Sequence, residues 1–343
     1  MASKGLFDEE FRIEKIDKMD PLKALSGKIN WEQFEPTLQK AFSHIDYSQG
    51  GRPPFNRLLM FKVLVLQEYY GLSDDQMEYQ LLDRLSFQRF IGQGLQDRVP
   101  DAKTIWLFRQ SLTEAGVLDE LFVQLGKRLQ RIGLVARKGK IIDASFVKVP
   151  VQRNNPEENK KIKDGEEPED WSDNKRSQKD VDADWTKKGG QSHYGYKQHI
   201  KSDLESKLIT NFEVTSASEH DSQVMEELLE KGKDNGEPLY ADSAYFGEEK
   251  NETLKKHGYI PRIISKGYRY KALTEADKKR NRKLSSKRCR VEHIFAWMQQ
   301  HGGKLIRGIG IRRITARVTL RIICYNMFRA LFLIKQRKMA LDI

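Results

Sequence analysis

Apolar residues recur at helical spacing through the first third of the chain, and the pattern then changes. GRPPFNRLLMFKVLVLQEYYGLS is a dense apolar run with helix punctuation at both ends. Pro53 and Pro54 stand at its start and Gly71 at its end, the asymmetry expected of a helix. Ser73 with Gln76 is a capping-box signal for the next helix, DDQMEYQLLDRLSFQRFIG. Thr104 is placed to cap TIWLFRQSLTEAG, which Gly116 closes. A fourth helix is predicted from Leu118 to Ile132. Residues 50–133 therefore predict a compact helical module, preceded by a weakly patterned stretch.

From about residue 134 short β-branched runs take over. GKIIDASFVKVPVQ has the signature of a strand. Residues 151–192 nearly lack aliphatic side chains, with Trp171 and Trp185 as the only large apolar groups, and predict a solvated excursion. HYGYKQHIKSD and KLITNFEVTSA predict two strands joined through Leu204–Ser206. SQVMEELLEKGK predicts a helix, EPLYADSAYFG a strand, EEKNETLKKHG a helix and YIPRIISKG a fifth strand. Ser285–Arg307 reads as one helix with Val291, Ile294, Phe295 and Met298 on its apolar face. The run from Ile314 to Lys338 is amphipathic at helical spacing, with Arg317, Arg321 and Arg329 recurring, and predicts core packing. Antiparallel strands followed by alternating helices and strands predict an α/β domain, a mixed sheet covered by helices.

Charge narrows the partner. The 343 residues carry a formal net charge of +12, which points to a polyanion. Nucleic acid comes first. A membrane surface comes second, but no apolar run approaches a spanning length, and MASKGLFDEEFRIEK has no signal-peptide core. A reducing cytoplasm is the expected compartment. Cys289 and Cys324 give neither a disulfide framework nor a metal-binding spacing. His220, His293 and His301 share no ligand spacing with either cysteine, so zinc is not expected.

Three carboxylates stand out. Asp143 follows Lys140-Ile141-Ile142 and Asp242 follows Leu239-Tyr240-Ala241, where an unpaired charge is costly. Each alone also reads as a turn or cap aspartate. Glu292 alone reads as the partner of Arg288, four residues earlier. Taken together, two acids at strand ends and one on a later helix are able to converge at one sheet edge. Three oxygen ligands suit Mg2+ or Mn2+, and two ions roughly 3.5–4 Å apart suit an in-line phosphoryl displacement. The cations around Glu292 then hold the phosphate backbone. Asp221 reads as a helix N-cap.

The order Asp143, Asp242, Glu292 resembles a DDE transposase, more narrowly the bacterial insertion-sequence transposases of the IS-five/IS-four superfamily. GRPPFNRLLMFKVLVLQEYYGLSDDQMEYQLLDRLSFQRFIG and DAKTIWLFRQSL resemble that family's N-terminal helical region. KGKIIDASFV, HYGYKQHIKSD, VTSASEHDSQ, YADSAYFG and RVEHIFAWM resemble its catalytic segments. The likeness implies an RNase H-like five-stranded mixed sheet flanked by helices, preceded by an all-helical N-terminal domain. The expected division is 1–133 for DNA binding or dimerisation, 134–335 for catalysis with a polar insertion at 151–192, and 336–343 as a basic tail. Asp143, Asp242 and Glu292 match the catalytic, metal-holding positions, with two Mg2+ or Mn2+ ions per site. Arg288 fits the family's signature around the glutamate, whereas Ser285 and Gln299 replace its Tyr and Lys.

The resemblance further implies cleavage at the 3′ ends of an element and attack of the freed hydroxyl on target DNA. Expected partners are double-stranded DNA with inverted repeats, target DNA and a second copy of the chain, at the nucleoid, with no membrane and no small-molecule substrate. Lys197, Arg282, Lys287, Arg288, Arg290, Gln299 and Lys304 are the expected DNA contacts. The helices Ser73–Ile91 and Thr104–Ala115 read equally as a helix-turn-helix or as a plain bundle. Two rivals remain at this stage: a catalytically silent DNA-binding regulator, and a structure-selective nuclease on the same fold.

Overall fold

The computed structural model describes residues 11, 14–15, 18–43, 53–152, 154–166, 168–229, 236–267, 272–303, 305–339 and 342–343. They divide into two compact units, 1–132 with 323–343, and 133–322.

The first unit is helical. Its helices span Pro21–Lys28, Glu35–Lys40, Arg57–Tyr70, Asp74–Asp83, Leu85–Ile91, Ala102–Glu114 and Val117–Arg131. Arg57–Tyr70 is apolar on most sides and correspondingly central. Asn56 caps it by accepting from the Leu59 amide, and Gly71 ends it at φ 63°, a left-handed conformation that glycine adopts without strain. Trp31, Phe34, Phe61 and Phe90 pack around it edge to face. The Ser73–Gln76 capping box forms. The cap of the third expected helix is Asp101, whose carboxylate accepts from the Thr104 amide at 2.7 Å; Thr104 lies inside the helix.

The chain's last residues join this unit. Tyr69 stacks on Phe328 with ring centroids 3.9 Å apart. The Ile343 amide donates to the Lys28 carbonyl and its own carbonyl accepts from Asn30, each at 2.7 Å. The sequence placed 323–335 with the catalytic domain and 336–343 in a tail. The structure groups 323–343 with the N-terminal helices, because Cys324, Tyr325, Met327, Leu333, Ile334 and Ile343 are buried there.

The second unit is built on a mixed sheet: β1 (Lys140–Lys148), β2 (Asp184–Lys188), β3 (Gln191–Asp203), β4 (Ile209–Ser216), β5 (Pro238–Ala241) and β6 (Ile260–Ile263). β3 pairs antiparallel with β1, β2 and β4. β1 and β5, and β5 and β6, pair in parallel. The five expected strands are present. The sixth, β2, comes from the insertion, which is therefore not wholly a solvated excursion. Within that insertion the helix Pro156–Lys163 and the short helix Asp173–Ser177 enclose Trp171, which is 3% exposed and donates from its indole N–H to Glu158 at 2.8 Å. Gly195 at φ 130° lets β3 approach β1 closely: a Cβ there would lie 2.5 Å from the Val147 carbonyl.

One face of the sheet carries a core of Ile142, Met225, Leu228, Leu239, Ala241, Tyr245, Leu254, Tyr259 and Ile263. Among the described residues, the helix expected over SQVMEELLEKGK spans only Met225–Leu228, and residues 230–235 lie outside the described set.

Candidate active site

Strand alternation fixes where the acids point. Ile142 enters the core on one face of β1, so Asp143 lies on the opposite face. On β5, Leu239 and Ala241 enter the same core, so Asp242 just past the strand shares Asp143's face. Ile141 is the register partner of Tyr240 on the neighbouring parallel strand, and each aspartate lies two residues further on. Two carboxylates from distant sequence are thus neighbours.

Local structure holds each. Asp242 caps a turn at Ser243–Tyr245 by accepting from the Ala244 amide at 2.9 Å. Asp143 accepts from the Ala144 amide at 2.9 Å and forms an ion pair with Arg288. Burial pushes its carboxyl up to about 6, Arg288 and the Ala144 amide oppose this, and Asp242 and Glu292 add to it. Asp143 therefore feels both of the other acids.

The single helix expected over Ser285–Arg307 is broken. The helix Glu275–Arg288 ends, a 3-10 turn spans Cys289–Val291, and a second helix runs Glu292–Gly302. The expected apolar face survives: Val291, Ile294, Phe295 and Met298 are all buried. Arg288 closes the first helix and pairs with Asp143, while Glu292 opens the second, 3.8 Å from Arg288 and 63% exposed. Met298 on this helix touches Gln198 of β3, which shares Asp143's face. Arg321 locks the helix end, donating to the carbonyls of Gly302 and Gly303.

The expected DNA contacts separate into groups. Arg282, Lys287 and Gln299 are exposed, Arg282 and Lys287 on the basic helix. Arg288 is occupied by Asp143, and Arg290 donates to the Leu204 carbonyl at 3.3 Å. Lys304 lies outside the described residues. Lys197 is turned inward: it is a buried side chain, donates to the Glu219 carbonyl and lies 3.0 Å from Asp221. It pairs across β1 with Phe146, on the face opposite Asp143. Asp221 is thus an internal counter-ion, and Val224 takes the N-cap of the following helix.

Two side chains that the sequence reading passed over also shape the site. Tyr245 is buried, anchors the Asp242 turn in the core, and its hydroxyl is held well above the usual phenol range by burial and then by Asp221, Asp143 and Asp242. The apolar neighbours in AYF were its signal. Arg321 was marked only as one arginine of an amphipathic helix; the Gly302-Gly303 pair was the clue to its clamp.

Hard, all-oxygen donors on adjacent strands fit a divalent cation. Among the described residues no three His, Cys, Asp or Glu side chains already stand as a ligand group for one ion. Asp143 and Asp242 are each held by a local amide, and Glu292 is the exposed acid on the helix that follows Arg288.

Comparison with known proteins gives the class. Residues 136–327 match the transposase DDE domain, more than half of the sequence, and the chain belongs to that family. Residues 10–111 match a second transposase domain, DUF772, and together the two matches make this a DNA transposase. Among solved structures it is similar to a cryo-EM structure of a piggyBac transposase synaptic complex with hairpin DNA. That likeness has a TM-score of 0.43 and 10% identity, and covers 97% of this chain and 77% of the other.

Proposed function

We propose that this transposase hydrolyses DNA at the ends of a mobile element and transfers the freed 3′ hydroxyl into target DNA, with Asp143, Asp242 and Glu292 as its acidic triad. One observation carries the assignment: Asp143 and Asp242 sit two residues beyond a parallel register pair, on one face, with Arg288 linking Asp143 to the start of the Glu292 helix.

Asp143 and Asp242 would hold divalent cations, Mg2+ or Mn2+, two per site, and Glu292 would turn in to complete the set. When bound, such ions neutralise the charge that develops on the phosphoryl oxygens and favour deprotonation of the attacking hydroxyl or water. The chain's own groups do the rest. Ala144 and Ala244 amides orient the two aspartates. Arg288 balances Asp143 and stands where a backbone phosphate arrives. Lys279, Arg282, Lys283 and Lys287, all exposed on one helix, steer and hold the strand. Bringing two element ends together calls for a dimer or larger assembly at the nucleoid. Among the described residues no helix is long and apolar enough to cross a membrane.

The test is cleavage of labelled end-DNA with Mg2+ or Mn2+. Asp143→Asn, Asp242→Asn and Glu292→Gln abolish nicking and strand transfer while DNA binding persists. Nicking by Glu292→Gln at the wild-type rate would remove Glu292 from the triad, and a wild type that never nicks would favour a silent regulator.

A further inference from the structure

The insertion carries a surface that the catalytic reading does not use. β2 and the first residues of β3 form a hairpin closed by Gly189 and Gly190, at φ 60° and 83°. Two successive left-handed residues make the tight turn that matches strand twist. β1 pairs with β3 only from Gly195 onward and β4 only from Tyr196, so residues 191–194 pair with β2 alone and the hairpin extends as a two-stranded ribbon.

Its side chains are arranged unusually for a solvated loop. Trp185 is 49% exposed although it is the largest side chain of its strand. Its register partner Tyr194, a buried ring, backs it at 5.1 Å between centroids and a 48° tilt. Lys187, two residues on, stands on the same face opposite Ser192, and both are exposed. Lys188 lies on the other face, over Phe146. Residues 185–194, WTKKGGQSHY, contain no acid, and the adjacent Asp184 carboxylate is taken up by the Trp185 amide at 2.6 Å. A supported, half-exposed indole two residues from an ammonium group on the same face, with the ribbon's acid, Asp184, at the alternate position and turned to the Trp185 amide, is the arrangement that holds an unpaired base and its phosphate.

The ribbon also faces the right way. Tyr194 and Ile200 lie six residues apart on β3, and Ile200 is the partner of Asp143, so alternation puts Trp185 and Asp143 on the same face of the sheet. The separation along the strand is about 20 Å.

We propose that the β2–β3 ribbon is a binding site for unpaired DNA, with Trp185 stacking on a base and Lys187 contacting the adjoining phosphate. This rests on the reading of the protein as a DNA-handling enzyme and extends it to a second point of contact remote from the carboxylates. The ribbon gives the strand a sequence-tolerant hold, since every base offers a face to stack on.

The test compares the full-length protein on a blunt duplex and on the same duplex with a single-stranded tail of about ten nucleotides. Wild type binds the tailed form more tightly, and tail binding quenches a tryptophan signal that Trp185→Phe alters. Trp185→Ala weakens tailed-duplex binding about tenfold to a hundredfold and blunt-duplex binding little. Trp185→Phe recovers most of the loss, which a folding defect would not allow. Lys187→Gln reduces the salt dependence on the tailed form by about one in log–log slope. Equal affinity of wild type and Trp185→Ala for the tailed form overturns the site. So do equal losses on both DNAs, which would assign the ribbon to duplex. If wild type binds neither DNA, the transposase reading fails along with it.

Discussion

At the scale of single residues, burial decides what the charges do. His199 on β3 is fully buried; its Nε2 meets the Thr215 hydroxyl at 2.9 Å and its Nδ1 has no hydrogen-bond partner. Burial lowers it to about 4, with Asp221 opposing and Lys197 reinforcing the shift. Because the folded pKa lies below the ordinary 6.5, the unfolded chain binds the extra proton first, so stability is full above that value and falls as pH drops toward 4. Replacing His199 by Gln should make the protein less acid-sensitive in this window, by on the order of 2 kcal/mol in denaturant titrations. An unchanged pH profile would show that His199 titrates normally. The same burial explains which expectations failed. Lys197 alternates along β3 like a surface lysine, but its counter-ion Asp221 lies 24 residues away beyond a hairpin, and nothing local in the sequence announces that pairing. Asp101 displaced Thr104 as a cap because its carboxylate accepts from the Thr104 amide and so places Thr104 inside the first turn.

Elements were read well where apolar spacing was strong and poorly where polar residues carried the structure. The five expected strands were legible because β-branched runs were interrupted by acids; Asp242 does lie just past the end of β5, whereas Asp143 lies inside β1, which runs on to Lys148. β2 was not legible: DWTKK alternates too weakly to distinguish a strand from a loop, although the Gly189-Gly190 pair marked its turn. The break between Arg288 and Glu292 was hidden because both flanking helices keep one continuous spacing of buried Leu284, Val291, Ile294 and Met298. Two tests apply here. A Cβ at Gly302 would fall 2.2 Å from the Arg321 guanidinium, so Gly302→Ala should displace that group from the Gly302 and Gly303 carbonyls, cost about 1 kcal/mol by melting and slow cleavage by loosening the Glu292 helix. Trp171→Ala should loosen the insertion selectively, speeding hydrogen exchange over 154–180 by lowering its local opening free energy by about 3 kcal/mol while β1 and β3 stay protected.

For the whole molecule, the net charge of +12 predicts steep salt dependence of DNA binding. Removing Arg282 and Lys287 together should reduce the log–log slope by about two without changing sequence preference, as measured by binding at several ionic strengths. Charge told the partner class from the sequence alone. It did not tell the domain division, because the helix Ile311–Arg337 has residues in both compact units, and its periodicity has no mark at the point where one ends.

That division bears on the order of events during synthesis. The helical unit opens the chain, yet Tyr69 waits for Phe328, and Lys28 and Asn30 wait for Ile343. Its N-terminal helices leave the ribosome long before the segment that completes their core, and spend that interval with apolar faces uncovered. The sheet unit, continuous from 133 to 322, can close first. A chain truncated after residue 322 should therefore protect the sheet from protease and leave the helices of residues 21–131 open to cutting.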